Sequence, residues 1–246
     1  MKILKGLLDM LLSLRTTIWL TVMVLAVLLY GSFVMPSHEE FQALHTMPLF
    51  PWMQEMPLPI TWWLYAAIGL LCLLTANTLA CSIESLVRKR GARQFLLVIA
   101  PQVIHAGFLF ILLAHVFSSY DSFRGIAQVA EGTQLPLPNG TSISFDRINT
   151  VISSGGYITE YSVEASLFDE QGRTAGRSQI QPNSPAFFRG FGIYVKTVQP
   201  GPVNAALIEV SRDAGAPWAL AGGVLFLAGM TTLLLLKIRH EESAEN

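Results

Sequence analysis

The chain has 246 residues, of which 52% are hydrophobic and 13% are charged, and its formal net charge at pH 7 is −1. The charged fraction is about half that of soluble domains, and a chain without a net field does not recruit polyanions. A disordered chain, a nucleic-acid binder and an ordinary cytosolic enzyme are therefore excluded. The mean hydropathy of +0.47 indicates a membrane protein.

Four stretches free of Asp, Glu, Lys and Arg are long enough to cross a bilayer. A charge at the bilayer centre costs about 2.5–3.5 kcal/mol on insertion scales, and spanning requires roughly 20 apolar residues. We therefore predict transmembrane helices near residues 16–35, 60–83, 95–118 and 217–236. The stretch 36–59 becomes an exterior loop between the first two spans.

The basic residues predict the orientation of these spans. Lys and Arg precede span one, fill the link between spans two and three, and follow span four, whereas residues 36–59 contain neither. Because Lys and Arg concentrate on the cytoplasmic side, both termini are predicted inside and residues 119–216 outside. Residues 237–246 become a cytoplasmic tail.

The N-terminal residues predict a short helix at the membrane surface. Leu and Ile recur at helical spacing over residues 3–14, with Lys2, Lys5 and Asp9 between them. This amphipathic pattern favours an interfacial helix over residues 1–15. The first span is predicted to be a signal anchor rather than a cleaved signal peptide, because no small-x-small cleavage site follows Tyr30.

Residues 119–216 predict a β domain. Residues 157–167 alternate in character at period two, the turn 169–172 follows, and a strand to Ile180 would complete a hairpin. Further strands are predicted at 191–198 and 205–211. The expected fold class is therefore a membrane protein with four transmembrane helices and one small antiparallel β domain, a sandwich or open barrel, between spans three and four.

The chemistry of the exterior segment favours contact with partners over catalysis. Residues 119–216 contain no His and no Cys, so a usual zinc site, a thiol relay and a covalent haem-attachment motif are absent.

In span two, Cys72 and Cys81 lie about 13.5 Å apart along a helix and cannot bridge each other.

Two histidines inside span three are the most informative residues. His105 falls near mid-span, and His115 lies about 15 Å further along the helix and about 80° away around it, so the two rings do not hold one metal between them. Haem iron accepts a neutral imidazole nitrogen in an apolar slot, and the small residues Ala106 and Gly107 leave room for a flat ligand or a close helix. Equally, a membrane histidine can serve only to hydrogen-bond a neighbouring helix.

The loop 36–59 is rich in Met, His and Pro. Soft Met and His ligands suit Cu(I), but the spacing of His38, His45 and Met47 is irregular and prolines interrupt the segment. An apolar loop lying on the membrane surface is the favoured interpretation.

Several short runs of sequence resemble the ResB (CcsB) family of cytochrome c biogenesis proteins. The resemblance lies in the shared order of these runs across all four spans and most of the exterior segment. They comprise Trp62-Trp63-Leu64 and residues 73–82 in span two, residues 105–113 in span three, and Phe123-Arg124-Gly125, Glu131-Gly132, residues 135–140 and residues 183–194 outside.

The resemblance implies a haem-handling subunit that works with a CcsA/ResC-like partner. Such a pair delivers haem b across the bacterial inner membrane and attaches it to the CxxCH cysteines of apocytochrome c in the periplasm. His105 matches the third-span histidine of the family and would be one axial ligand of the haem iron, the other coming from the partner. His115 is the weaker candidate.

The chain would be a non-catalytic or accessory subunit of a holocytochrome c synthase complex, since the covalent chemistry would occur on the partner. Its exterior segment, 119–216, is much smaller than in typical members, so it resembles a compact version. The alternative is a b-haem or scaffolding subunit of another membrane redox complex.

Overall fold

The computed structural model describes Gly6 and residues 12–88 and 95–245. Its α-helices are α1 (Leu14–Val34), α2 (Leu49–Glu55), α3 (Leu58–Arg88), α4 (Phe95–Tyr120) and α5 (Ala216–Glu245). Four of them, all except α2, are long and apolar enough to cross a membrane, which confirms the four predicted spans. The interfacial helix predicted for residues 1–15 falls almost wholly outside the described residues.

The chain divides into two compact units. The helices form one unit, and Ser122–Asp213 together with His45–Met47 forms the other. The chain passes from the helical unit into the β domain after Asp121 and returns at Ala214.

Small residues repeat every seven positions along the tightly packed pair α4 and α5. On α4 the repeat is buried, and a Cβ added to any glycine of the α5 repeat would collide with α4. Because the repeat removes side chains from the contact line, the two backbones approach closely, as is common between membrane helices. The two sets are Ala100, Gly107 and Ala114 on α4, and Gly215, directly before α5, with Gly222 and Gly229 on α5.

A polar contact and a ring contact join α1 to α3. The fully buried Asn77 of α3 accepts a hydrogen bond of 2.6 Å from Thr17 Oγ1 of α1. Near the other end of α3, the Trp63 ring covers Gly31 so closely that a Cβ on this glycine would overlap it. Glycine is therefore required where the indole meets the α1 backbone.

The loop 36–59 between the first two spans is folded rather than irregular. It contains a 3₁₀ helix at Glu39–His45, followed by α2. Trp52 of α2 is fully buried, donates its indole N–H to Glu40 O at 3.0 Å and lies 4.9 Å from the Phe41 ring, centroid to centroid. The prolines that interrupt the sequence pattern therefore do not prevent a small aromatic core.

The β domain consists of two four-stranded antiparallel sheets. The first has the order β1-β8-β7-β6 and the second β2-β3-β4-β5. The strands are β1 (Ser122–Ala130), β2 (Thr133–Pro136), β3 (Ser142–Ile152), β4 (Ile158–Phe168), β5 (Thr174–Ile180), β6 (Ala186–Phe188), β7 (Phe191–Gln199) and β8 (Ala205–Asp213). The predicted small antiparallel domain between spans three and four is confirmed, and it is a sandwich of two sheets.

One apolar core lies between the two sheets. Along β4, Val163, Ala165 and Leu167 are buried in this core, as the period-two alternation predicts. Residues 139–140 form the predicted hairpin turn, where Gly140 adopts φ +82° and Asn139 Oδ1 accepts the Thr141 N–H. Strands β1, β2, β3 and β6 were not assigned from the sequence.

Candidate functional site

His105 lies on a face of α4 that α5 does not cover. Gly107 is buried against α5, and two residues turn an α-helix by about 200°, so His105 points away from that helix. Its side chain is exposed in the isolated chain. An exposed imidazole near the middle of an apolar span is available either to a ligand or to a partner chain.

Ser82 of α3 holds the His105 ring. Its hydroxyl oxygen lies 3.1 Å from His105 Nδ1. In the tautomer that donates Nδ1–H to Ser82, the other ring nitrogen, Nε2, keeps its lone pair for a metal. Metal-binding histidines in proteins nearly always have such an outer partner, which fixes the tautomer and the ring orientation.

A second polar group lies one turn away on α4. Gln102 precedes His105 by three residues, so the two side chains project from the same side of the helix. The oxygen Gln102 Oε1 is buried and has no hydrogen-bond partner among the described residues. The His105 face of α4 therefore carries two polar side chains within a mostly apolar span.

Gly107, one of the two small residues beside His105, makes room for a close helix. A Cβ added to Gly107 would lie 2.5 Å from the backbone nitrogen of Phe226 and 2.7 Å from the carbonyl oxygen of Gly222. Of the two uses considered for this space, a flat ligand or a neighbouring helix, the structure shows the helix.

His115 is exposed near the C-terminal end of α4 and is not brought together with His105. Ten residues separate the two histidines, a rise of about 15 Å. Within the described residues, no group of three or more His, Cys, Asp or Glu side chains could hold a metal ion. His105 therefore offers one ligand position rather than part of a complete site.

The residues of the β domain that carry the sequence resemblance mainly shape its fold. Glu131 Oε1 accepts the Ile148 N–H at 2.7 Å and lies 3.4 Å from Asn204 Nδ2, so it joins strands of both sheets at one end of the sandwich. In the run 183–194, Asn183 and Arg189 adopt φ of +62° and +49° in the turns on either side of β6. These residues place turns and do not line a common site.

Arg124 belongs to an ion-pair cluster on the outer face of the first sheet. Its guanidinium lies 2.9 Å from Glu209 Oε2, and Lys196 Nζ lies 2.9 Å from the same oxygen. The hydrogen bond from Arg124 lowers the pKa of Glu209 most strongly, and Lys196 lowers it further, whereas burial opposes both. Arg124 is therefore committed to a structural ion pair.

Sequence analysis missed two polar residues of the candidate site, Ser82 and Gln102. Ser82 stands in the span-two motif, but no pattern within one helix reveals that Ser82 meets a histidine of the next helix. Its only signal is a hydroxyl in an apolar stretch.

The chain is similar in part to a curated cytochrome c biogenesis protein. No family model matches the chain. The protein CCS1, chloroplastic, of Oryza sativa subsp. japonica is 24% identical over 145 residues, covering 53% of this chain and 25% of the relative. The match thus spans about a quarter of the relative's length, and it supports the resemblance to ResB/CcsB-like proteins.

The match to a solved structure of the cytochrome c haem lyase CcmF covers 90% of this chain and 35% of the CcmF chain. The sequence identity is 16% and the TM-score 0.44. A likeness of this size does not bear on the fold or the function of the chain.

Proposed function

We propose that the chain is a haem-handling subunit of a cytochrome c biogenesis complex. In this proposal it binds haem b with a CcsA/ResC-like membrane partner and presents it to the CxxCH cysteines of apocytochrome c. The observation that carries the proposal is the uncovered His105, held through Nδ1 by Ser82 at 3.1 Å. The partial similarity to a cytochrome c biogenesis protein supports it.

The residues present fit one axial position of a haem iron. A neutral imidazole with Nδ1 engaged offers Nε2, and Ser82 would orient the ring. The exposed apolar surface around His105 suits the haem macrocycle or a partner helix. The second axial ligand would come from the partner, because the described spans place no other histidine beside His105.

The proposed location is the bacterial inner membrane, with both termini cytoplasmic and the β domain periplasmic. The distribution of Lys and Arg supports this orientation. The covalent attachment of haem would occur on the partner, which makes this chain an accessory subunit.

His105→Ala tests the proposed ligand. The chain and a CcsA-like partner are co-expressed and purified in mild detergent, and reduced-minus-oxidised visible spectra give the haem content per protein. We expect His105→Ala to lose most of the b-type signal while both proteins accumulate. Ser82→Ala should lower occupancy less, because it removes the orienting partner and keeps the ligand. Ser85→Ala, one turn further along α3, is the matched control.

Three outcomes separate the alternatives. A full b-type signal in His105→Ala would refute the ligand assignment, and a loss in His115→Ala alone would move it to His115. A signal from the chain without any partner would favour an independent b-haem subunit of another redox complex.

A further inference from the structure

The distal halves of β3 and β4 form a two-stranded hairpin arm, residues 149–162. Strand β2 pairs only with Ser142–Phe145 of β3, and β5 pairs only with Val163–Phe168 of β4. Beyond these limits β3 and β4 pair mainly with each other. At the base of the arm, Tyr161 packs on the domain core and donates its hydroxyl to Lys196 O at 3.2 Å. The far half of the arm has no third strand, and because a two-stranded ribbon alone is only marginally stable in water, that half gains from a partner.

The arm ends in exposed apolar side chains. The exposed fractions are 54% for Val151, 53% for Ile152, 78% for Tyr157 and 37% for Ile158. The turn between the strands is ordered by hydrogen bonds from Ser153 N to Tyr157 O and from Gly156 N to Ser153 O. Neighbouring apolar side chains at the end of a polar domain are typical of an interaction surface.

A groove of about 400 Å³ runs along the arm on the outer side of the second sheet. It opens where β5 ends and the chain turns away at Gln181, which forms a bridge with Ser184 instead of pairing with β4. Five residues of β4, 158–162, therefore have no strand partner on this side within the described chain. The groove lining comes from β3, β4 and the end of β5 and includes Val151, Glu160, Tyr161 and Gln181.

The groove suits an extended polypeptide better than a small molecule. It is open, and its amide and hydroxyl side chains both donate and accept hydrogen bonds. The free edge of β4 offers alternating N–H and C=O groups over about 17 Å, a pattern that only another extended backbone matches. The single charge in the lining is Glu160, so the occupant would place a cationic side chain beside it.

We infer that this groove binds an extended segment of apocytochrome c by strand addition to β4. The inference rests on the proposed function, which brings an unfolded polypeptide to this domain. A folded cytochrome would not fit, since its backbone groups are already paired. Backbone bonds to the edge supply binding that is independent of sequence, while Glu160 and the apolar tip select a cationic segment with an apolar neighbour.

The test measures binding of fluorescently labelled, reduced, haem-free apocytochrome c to the full chain in nanodiscs. Glu160→Lys reverses the groove charge, and Tyr157→Ser removes the most exposed apolar side chain of the arm. We expect each to weaken binding about tenfold, the size of a single interface hot spot. The matched controls are Glu170→Lys, exposed in the β4–β5 turn, and Ile126→Ser, exposed on β1 of the other sheet. Both controls should bind as the wild type does.

The inference is overturned if the two arm variants bind apocytochrome as tightly as the wild type, if the wild type binds none, or if folded holocytochrome binds equally well. It is also overturned if the wild type is a dimer by light scattering and Tyr157→Ser is a monomer, since the occupant is then a second copy. The haem spectrum of His105→Ala tests the proposed function separately, so either idea can fail while the other stands.

Discussion

At the scale of single residues, Glu209 shows how a charge is accommodated on the outer face of the first sheet. The side chain is 9% exposed and accepts hydrogen bonds from Arg124 and Lys196 at 2.9 Å each. Arg124 lies on β1 and Lys196 on β7, the two strands that flank β8. The Glu209 carboxylate on β8 therefore joins three neighbouring strands of one sheet. Because the pKa of Glu209 is lower in the folded domain than its usual value, the ionised form stabilises the fold.

We expect the β domain to lose stability as the pH falls below the usual glutamate pKa of about 4.3. The contribution of Glu209 is present above that pH and disappears as the pH falls through its lowered folded-state pKa. Hydrogen–deuterium exchange of peptides from β7 and β8, between pH 6 and pH 3, measures the effect after correction for intrinsic exchange rates. Glu209→Gln should show a smaller change over this range than the wild type.

Glu170→Gln is the control for that measurement, since Glu170 lies exposed in the turn between β4 and β5 and has no ion pair with Arg124 or Lys196. An acid sensitivity that is the same in Glu209→Gln and the wild type would show that other carboxylates dominate.

At the scale of elements, the pair α4 and α5 depends on its seven-residue repeat of small side chains. Lipid tails are as apolar as leucine, so apolar burial alone does not hold two membrane helices together. Close backbone approach supplies the packing contacts instead. Gly222 meets the Gly107 carbonyl oxygen and Ile111, and a Cβ there would lie 2.7 Å from that oxygen.

Gly222→Val should destabilise the helical unit, whereas Gly223→Val should not. A Cβ on Gly223 would meet nothing within 4 Å, so the neighbouring glycine is a matched control for helix propensity and added volume. Overpacking of this kind costs typically about 1–3 kcal/mol. Thermal unfolding followed by the size-exclusion profile in detergent measures the difference, and equal melting temperatures for the two variants would contradict the packing argument.

At the scale of the whole molecule, the proposed function requires the β domain and the C-terminus to lie on opposite sides of the membrane. A single membrane crossing by α5 would separate them, since this helix follows the β domain directly. The distribution of Lys and Arg predicts which side each occupies.

Cysteine labelling tests this orientation. In a chain with Cys72 and Cys81 replaced by Ala, Gln171→Cys in the β4–β5 turn should react with an impermeant maleimide in spheroplasts. Ser243→Cys near the C-terminus should react only after the membrane is permeabilised. The reverse pattern would place the β domain in the cytoplasm and remove the basis of the proposed function.

The sequence by itself determines the four spans and the β character of the segment between the third and fourth. Both follow from local rules, because a bilayer excludes charge from about 20 consecutive residues and a half-buried strand alternates at period two. The strand at residues 157–167 and the Asn139-Gly140 turn are predictable for the same reason. His105 can also be identified from the sequence, since an ionisable group in an apolar span is rare.

Only the tertiary structure decides what those residues meet. That Ser82 holds His105, that Gly107 faces Gly222, and that β5 ends while β4 continues all concern how separate elements lie against one another. No periodicity within one segment encodes them, because they depend on the rotation of each helix and on the register of each strand pair. The physical reason is that hydropathy fixes which segments are buried, whereas packing and hydrogen bonding between segments fix which side chains come together.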